Sequence, residues 1–150
     1  MMPSTLIRTG LMLACMSLPF SAQAQPQFFS DPQSKAPFSP AVRVGDIIFL
    51  SGQTGHDAQG HLPEGLAAQA QNAMDNVAAT ARRAGVTNDD IVKCTVMLAD
   101  MSQFATFNAI YVRSFKPGRL PARSAFGANG LANGALVEVE CIAAAPDKRR

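Results

Sequence analysis

This 150-residue chain has little charge to spare, no long apolar run and no clustered metal ligands, and each of these scarcities excludes a class of function. It carries 13 Lys and Arg against 11 Asp and Glu. Arg8 falls in an N-terminal leader, so the rest of the chain holds 12 basic residues against the same 11 acidic ones. Electrostatic capture of phosphates needs a clear basic excess, so no nucleic-acid partner is expected. The longest apolar run, Leu11 to Phe20, is too short to span a bilayer. No Cys-x-x-Cys or His-rich pattern occurs, and His56 and His61 sit in a loop without companion ligands, so no metal is expected.

The short apolar run has a different reading. Arg8 supplies a positive n-region, Leu11–Phe20 an h-region, and Ser21-Ala-Gln-Ala24 the small residues of a cleavage site. Residues 1–24 therefore read as a signal peptide. The remaining 126 residues are expected in the periplasm or secreted, with no membrane association after cleavage. That length suits one domain with a single core. Residues 25–36 are polar with scattered prolines and read as a flexible arm, 37–146 as the domain, and 147–150 as a basic tail. Cleavage removes Cys15 and leaves Cys94 and Cys141. An oxidising compartment invites a bridge between them. Both lie in apolar strand-like runs, where cysteine serves as a small buried hydrophobe, and two free thiols are the expectation.

Along the domain, Ala41–Val44 and Ile47–Leu50 flank Gly45-Asp46 as a two-residue hairpin, with Ser51-Gly52-Gln53 ending the second strand. Pro63-Glu64 opens a helix to about Ala84, with Leu66, Ala70, Ala73, Met74, Val77 and Ala81 on its apolar stripe and Gly85 at the C-cap. A stripe made mostly of alanine requires close approach to a sheet. Ile91–Leu98 reads as a strand, with Val92, Cys94, Val96 and Leu98 towards the helices and Ile91, Lys93, Thr95 and Met97 away from them. A second helix covers about Ser102–Ser114 with Phe104, Phe107 and Tyr111 on one side; Tyr111 is expected in the core with its hydroxyl at the edge. Two strands close the chain. Arg123 starts the first, and in the second Glu138 and Glu140 alternate with Val137, Val139 and Cys141. The order β-β-α-β-α-β-β predicts a single-domain α+β sandwich with both helices on one face of a mixed sheet. The other face would carry Leu136, Ile142, Ile91 and Met97 around Lys93, Glu138 and Glu140, a patch that predicts a homo-oligomer packed through its sheets.

Five segments then align with one family: Pro37-Phe-Ser-Pro-Ala-Val-Arg-Val-Gly-Asp46, Leu50-Ser-Gly-Gln53, Gln71-Asn-Ala-Met-Asp-Asn-Val77, Phe104-Ala-Thr-Phe-Asn-Ala-Ile-Tyr111, and Pro121-Ala-Arg-Ser124 with Val137-Glu-Val-Glu140. In this order and with these gaps the chain resembles the RidA/YjgF family of reactive-intermediate deaminases. The resemblance implies a chorismate-mutase-like fold, a homotrimer with ligand clefts between subunits, and hydrolysis of 2-imino or 2-enamino acids to 2-oxo acids and ammonia without metal or organic cofactor. It assigns Arg123 to the substrate carboxylate and Glu138 to the attacking water, and places Ser51, Asn108, Phe38 and Ala125 in or near the cleft. A guanidinium suits a planar carboxylate because it offers two parallel hydrogen bonds, and a partly buried glutamate can pass protons between water and the departing nitrogen. Two positions depart from the family pattern: Phe38 stands where a tyrosine is frequent, and Ala125 where a cysteine is frequent. Leu131-Ala132 likewise replaces a common Leu-Pro. The ligand expected is a small carboxylate-bearing imine or 2-oxo acid. The alternatives are a carboxylate-binding module, or a holdase-like protein-binding trimer, using the same scaffold without catalysis.

From the residues alone, other roles are open for several of these side chains. Glu138 could pair with Lys93 across the sheet, Ser51 could be a strand-end turn residue, and Asn108 could bond a loop backbone.

Overall fold

The computed structural model describes residues 25–30 and 35–145. The leader, Cys15 and the basic tail lie outside the described residues. Six strands form one sheet: β1 (Gln27–Phe29), β2 (Ala41–Val44), β3 (Ile47–Thr54), β4 (Ile91–Leu98), β5 (Ala122–Gly127) and β6 (Val137–Ala144). Their order across the sheet is β1-β2-β3-β6-β4-β5. Only β4 and β5 run parallel, so the sheet is mixed, as the element order predicts. The last strand inserts between β3 and β4, and β5 is left as an edge paired on one side only.

The first hairpin turns at Gly45, whose φ of 58° lies in the left-handed region that glycine adopts without a steric cost. The arm expected at 25–36 contributes an edge strand: Phe28 pairs opposite Val42 in an antiparallel ladder. Polar composition and prolines conceal a strand this short, because its stability comes from the neighbour's ladder rather than its own pattern.

Helix α1 (Leu66–Arg83) and helix α2 (Phe104–Tyr111) cover one face of the sheet. Both are shorter than their periodicity suggests. The α1 helix starts after Gly65, whose φ of 81° is not helical, and α2 is flanked by tight 3-10 turns at Met101–Gln103 and Val112–Ser114. The alanine stripe does bring α1 close. Ala70, Ala73 and Ala81 are fully buried, and a Cβ added at Gly55 would lie 2.5 Å from the Cα of Gln69. Gln69 spans the layers, donating to the Pro63 carbonyl and accepting from the Leu136 amide at 2.8 Å.

Two bulges change which side chains point where. Leu50 pairs with Cys141 but Gln53 with Val139, so β3 carries an extra residue around Ser51-Gly52 and continues to Thr54 instead of ending. Likewise Ile91 pairs with Ala143 but Lys93 with Ile142. The extra residue is Val92, which is exposed, while Ile91 is buried among the helix-side residues. This reverses the expected orientation of both. A strict period of two cannot reveal a one-residue insertion.

Cys94 and Cys141 are directly opposite each other on β4 and β6, with Cα atoms 4.1 Å apart, and form a disulfide. The expectation of free thiols is corrected here. Burial holds as expected, since both are nearly inaccessible, but the antiparallel register puts them at the close spacing of a non-hydrogen-bonded pair, where a bridge closes across the ladder.

Candidate active site

The six residues singled out by the sequence fall into two groups on different parts of the molecule. Arg123, Ala125 and Asn108 form the first. Arg123 is on β5 opposite Cys94, and Ala125 is opposite Val96; Cys94 and Val96 are core residues, so Arg123 and Ala125 belong to the helix-covered side. There the guanidinium meets α2. Its Nη1 donates to Asn108 Oδ1 at 2.8 Å, and its Cζ lies 4.6 Å from the centre of the Tyr111 ring and 5.2 Å from that of Phe104. The three α2 residues follow at spacings of four and three, which is one face of a helix. Asn108 is thus bound to Arg123 and not to a loop backbone.

Tyr111 itself is wedged between Phe107 and Phe115, with ring centres 5.7 and 4.9 Å away. Its hydroxyl is buried, without a hydrogen-bond partner among the described residues, and not at the edge of the core as expected. Burial pushes the phenol above its ordinary pKa, with the Arg123 charge acting in the opposite sense. Tyr111 is therefore a neutral ring beside a cation at physiological pH. Arg123 has no carboxylate partner among the described residues. Its remaining donors are available to an anion.

Glu138, Ser51 and Phe38 form the second group. Val137 and Val139 are fully buried under the helices, so Glu138 stands on the opposite, open face of the sheet. Its Cα partners are Met97 and Thr54. The carboxylate lies over Gly52, where an added Cβ would collide with Oε1. The β3 bulge and the missing side chain at Gly52 together make the seat for this glutamate. The pairing of Glu138 with Lys93 does not occur: Lys93 is opposite Ile142 and donates to Thr95 Oγ1 at 3.3 Å. Ser51 donates to the Ser39 carbonyl at 2.7 Å while its amide bonds the Pro40 carbonyl, which ties the incoming segment to β3. Phe38 is exposed and borders a groove of about 290 Å³ with Gly52, Gln53, His56, Asn76 and Arg83. Asn76 of α1 holds this rim by donating to the carbonyls of Thr54 and His56.

Arg123 and Glu138 are therefore separated by the sheet within one subunit, with β4 between their strands. The open face carries aligned apolar side chains: Phe28, Val42, Phe49 and Ile142 run across four strands, four residues along β6 from Glu138, and Met97 beside Glu138 is next to Phe126. Phe28, Phe49 and Phe126 are exposed. The sequence reading missed Gly52 as the seat of Glu138, and Phe104 and Tyr111 as the faces against Arg123. The spacing of the two rings from Asn108 was visible; the strand they would meet was not. Among the described residues no group of His, Cys, Asp and Glu could hold a metal ion.

Comparison with known proteins draws on most of the domain. Residues 28–145 match the family described as endoribonuclease L-PSP. A mouse protein named 2-iminobutanoate/2-iminopropanoate deaminase is 42% identical over 114 residues, covering 75% of this chain and 84% of that protein. The crystal structure of RidA from the Antarctic bacterium Psychrobacter superimposes with a TM-score of 0.73 at 35% identity, covering 79% of this chain and 98% of that one. That of E. coli TdcF with bound serine superimposes with a TM-score of 0.72 at 31% identity, covering 79% and 98%.

Proposed function

The chain belongs to the endoribonuclease L-PSP (RidA/YjgF) family, and we propose that within it this protein is a hydrolytic deaminase of small 2-imino acids, acting in a cleft between two subunits. The reaction adds water to the C=N carbon of a 2-imino acid and expels ammonia, which leaves the 2-oxo acid. No electrons are transferred, so the step requires no redox cofactor. Arg123 grips the substrate carboxylate through the donors that Asn108 leaves free. Glu138 orients the attacking water and passes its proton to the leaving nitrogen. Phe38 and Ser51 border the Glu138 side, and Ala125 the Arg123 side.

The observation that carries the proposal is the separation of the two charged groups. A reaction using both requires two copies of the chain, with the β5 edge of one placed against the open face of the next. Such a head-to-tail contact uses different surfaces on each subunit and closes into a ring when the rotation fits, here a trimer. The exposed Phe28, Phe49 and Phe126 supply apolar area for that contact. The names of relatives agree in chemistry: one is a deaminase of imines of exactly this carboxylate class, and one holds serine, a small carboxylate. The near balance of charge disfavours RNA as the substrate in spite of the family's description. We also place the mature chain in an oxidising compartment, the periplasm or outside, and the buried disulfide supports this.

A second reading, a carboxylate-binding module without turnover, is favoured by one observation: Phe38 borders the groove without a hydroxyl. Ammonia release from freshly generated 2-iminopropanoate and 2-iminobutanoate separates the two. Acceleration by the wild type that Arg123→Ala abolishes supports the deaminase. Retained 2-oxo acid binding with no acceleration supports the binding module.

A further inference from the structure

We propose that Phe104 and Tyr111 are positioning residues for Arg123: their rings hold the guanidinium in one plane and keep its charge unneutralised for a ligand carboxylate. The inference rests on the reading of Arg123 as the carboxylate anchor. Arg123 is on an edge strand and half-buried, a setting in which an arginine is ordinarily either mobile in water or paired with a carboxylate. It does neither. Its one hydrogen bond among the described residues, to the neutral Asn108, fixes Nη1 at 2.8 Å but leaves the plane of the group free to turn about that contact. The rings at 4.6 and 5.2 Å remove that freedom.

The choice of partners matters chemically. An acidic side chain would hold the guanidinium as well, but would occupy a donor edge and cancel its charge. An aromatic face attracts a cation through its quadrupole and supplies no competing anion. Tyr111 acts through its ring, since its hydroxyl is buried and has no hydrogen-bond partner among the described residues. It is itself held by Phe107 and Phe115, so the support is rigid at its base. Phe104, half-buried, is the outer support. A guanidinium held in this way favours a carboxylate lying in its own plane. In 2-oxo and 2-imino acids the carboxylate and the adjacent double bond tend to be coplanar, so the held plane would also orient the reacting carbon.

The test uses the mature protein and the Nε–Hε signals of its arginines in nitrogen-15 spectra, with the Arg123 signal identified by its loss in Arg123→Lys. In the wild type that signal should be displaced by ring currents, before any ligand is added. Phe104→Leu, which keeps an apolar side chain but removes the ring, should return it towards the ordinary arginine position. The same substitution should weaken binding of 2-oxobutanoate, measured by calorimetry, by about three- to tenfold, and raise KM for 2-iminobutanoate at least in proportion. Phe104→Tyr should recover most of the loss. A wild-type Arg123 signal without ring-current displacement overturns the proposal, as does unchanged 2-oxobutanoate affinity in a folded Phe104→Leu protein. If the wild type binds 2-oxobutanoate through Arg123 but releases no ammonia from imines, the deaminase reading falls and the positioning role stands.

Discussion

The two charged residues of the candidate site are held in opposite ways. Arg123 is surrounded within its own subunit: Asn108 takes one nitrogen, and Phe104 and Tyr111 cover the group. Glu138 sits on the open face of the sheet, over Gly52, level with Met97 and the exposed Phe126. The first is organised by the fold of one chain. The second, in the proposed assembly, would face a neighbour. On the proposed reading, one subunit completes the grip on the carboxylate by itself, whereas the half that handles water would gain dry surroundings only on assembly.

Breaking the Arg123 side should have the largest effect. Arg123→Ala should lower kcat/KM for 2-iminobutanoate on the order of a thousandfold, because the carboxylate would lose its charge-assisted partner. Arg123→Lys should not restore it, since lysine lacks the planar fork that Asn108 and the rings are arranged to hold. On the other side, Glu138→Gln should slow turnover by about a hundredfold and leave 2-oxobutanoate affinity close to wild type. Near-normal turnover in this variant would remove Glu138 from the chemistry.

The disulfide joins the two halves, because Cys141 is on the Glu138 strand and Cys94 is opposite Arg123. Its removal by Cys94→Ala with Cys141→Ala should lower unfolding free energy by about 2–4 kcal/mol in urea titrations, as expected for a bridge that closes a loop of this size. Alkylation under denaturing, non-reducing conditions should modify neither cysteine; double modification would show that the bridge does not form. The smallest effect is expected at Gly52. Gly52→Ala would push the glutamate from its seat, because the atoms nearest the added Cβ all belong to the Glu138 side chain, and should lower kcat while leaving the carboxylate grip and the fold intact. Wild-type kcat in Gly52→Ala would show that the position of Glu138 over this glycine does not matter.

Much of this comparison was legible in the residues, for uneven physical reasons. Element order, the mixed sheet and the helix-covered side of β6 followed from periodicity, since Val137, Val139 and Cys141 alternate with Glu138 and Glu140 and each has one outcome in a strand. Arg123, Asn108 and Glu138 stood out through motif order. Orientation was lost wherever the ladder gained a residue: Val92 and Ile91 exchanged sides, and the Ser51-Gly52 bulge carried β3 on to Thr54, past the end expected at Ser51-Gly52-Gln53. The bridge was missed because apolar burial and pairing both suit a core cysteine, and only register decides between them. Strand β1 was missed because a three-residue edge has no periodicity to read. The contact of Phe104 and Tyr111 with Arg123 needed the parallel β4–β5 pairing, which no local pattern encodes.

If Arg123 of one subunit and Glu138 of another serve the same substrate, two crippled variants should complement each other when mixed. Arg123→Ala and Glu138→Gln proteins would be denatured together in equal amounts without reducing agent, refolded, and assayed for ammonia release from 2-iminobutanoate. In a ring of heterologous contacts about a quarter of the clefts then receive both intact residues from different chains, so activity should return to roughly that fraction of wild type. If both residues act within one subunit no intact site can form, and a mixture no more active than its separate components would contradict the account.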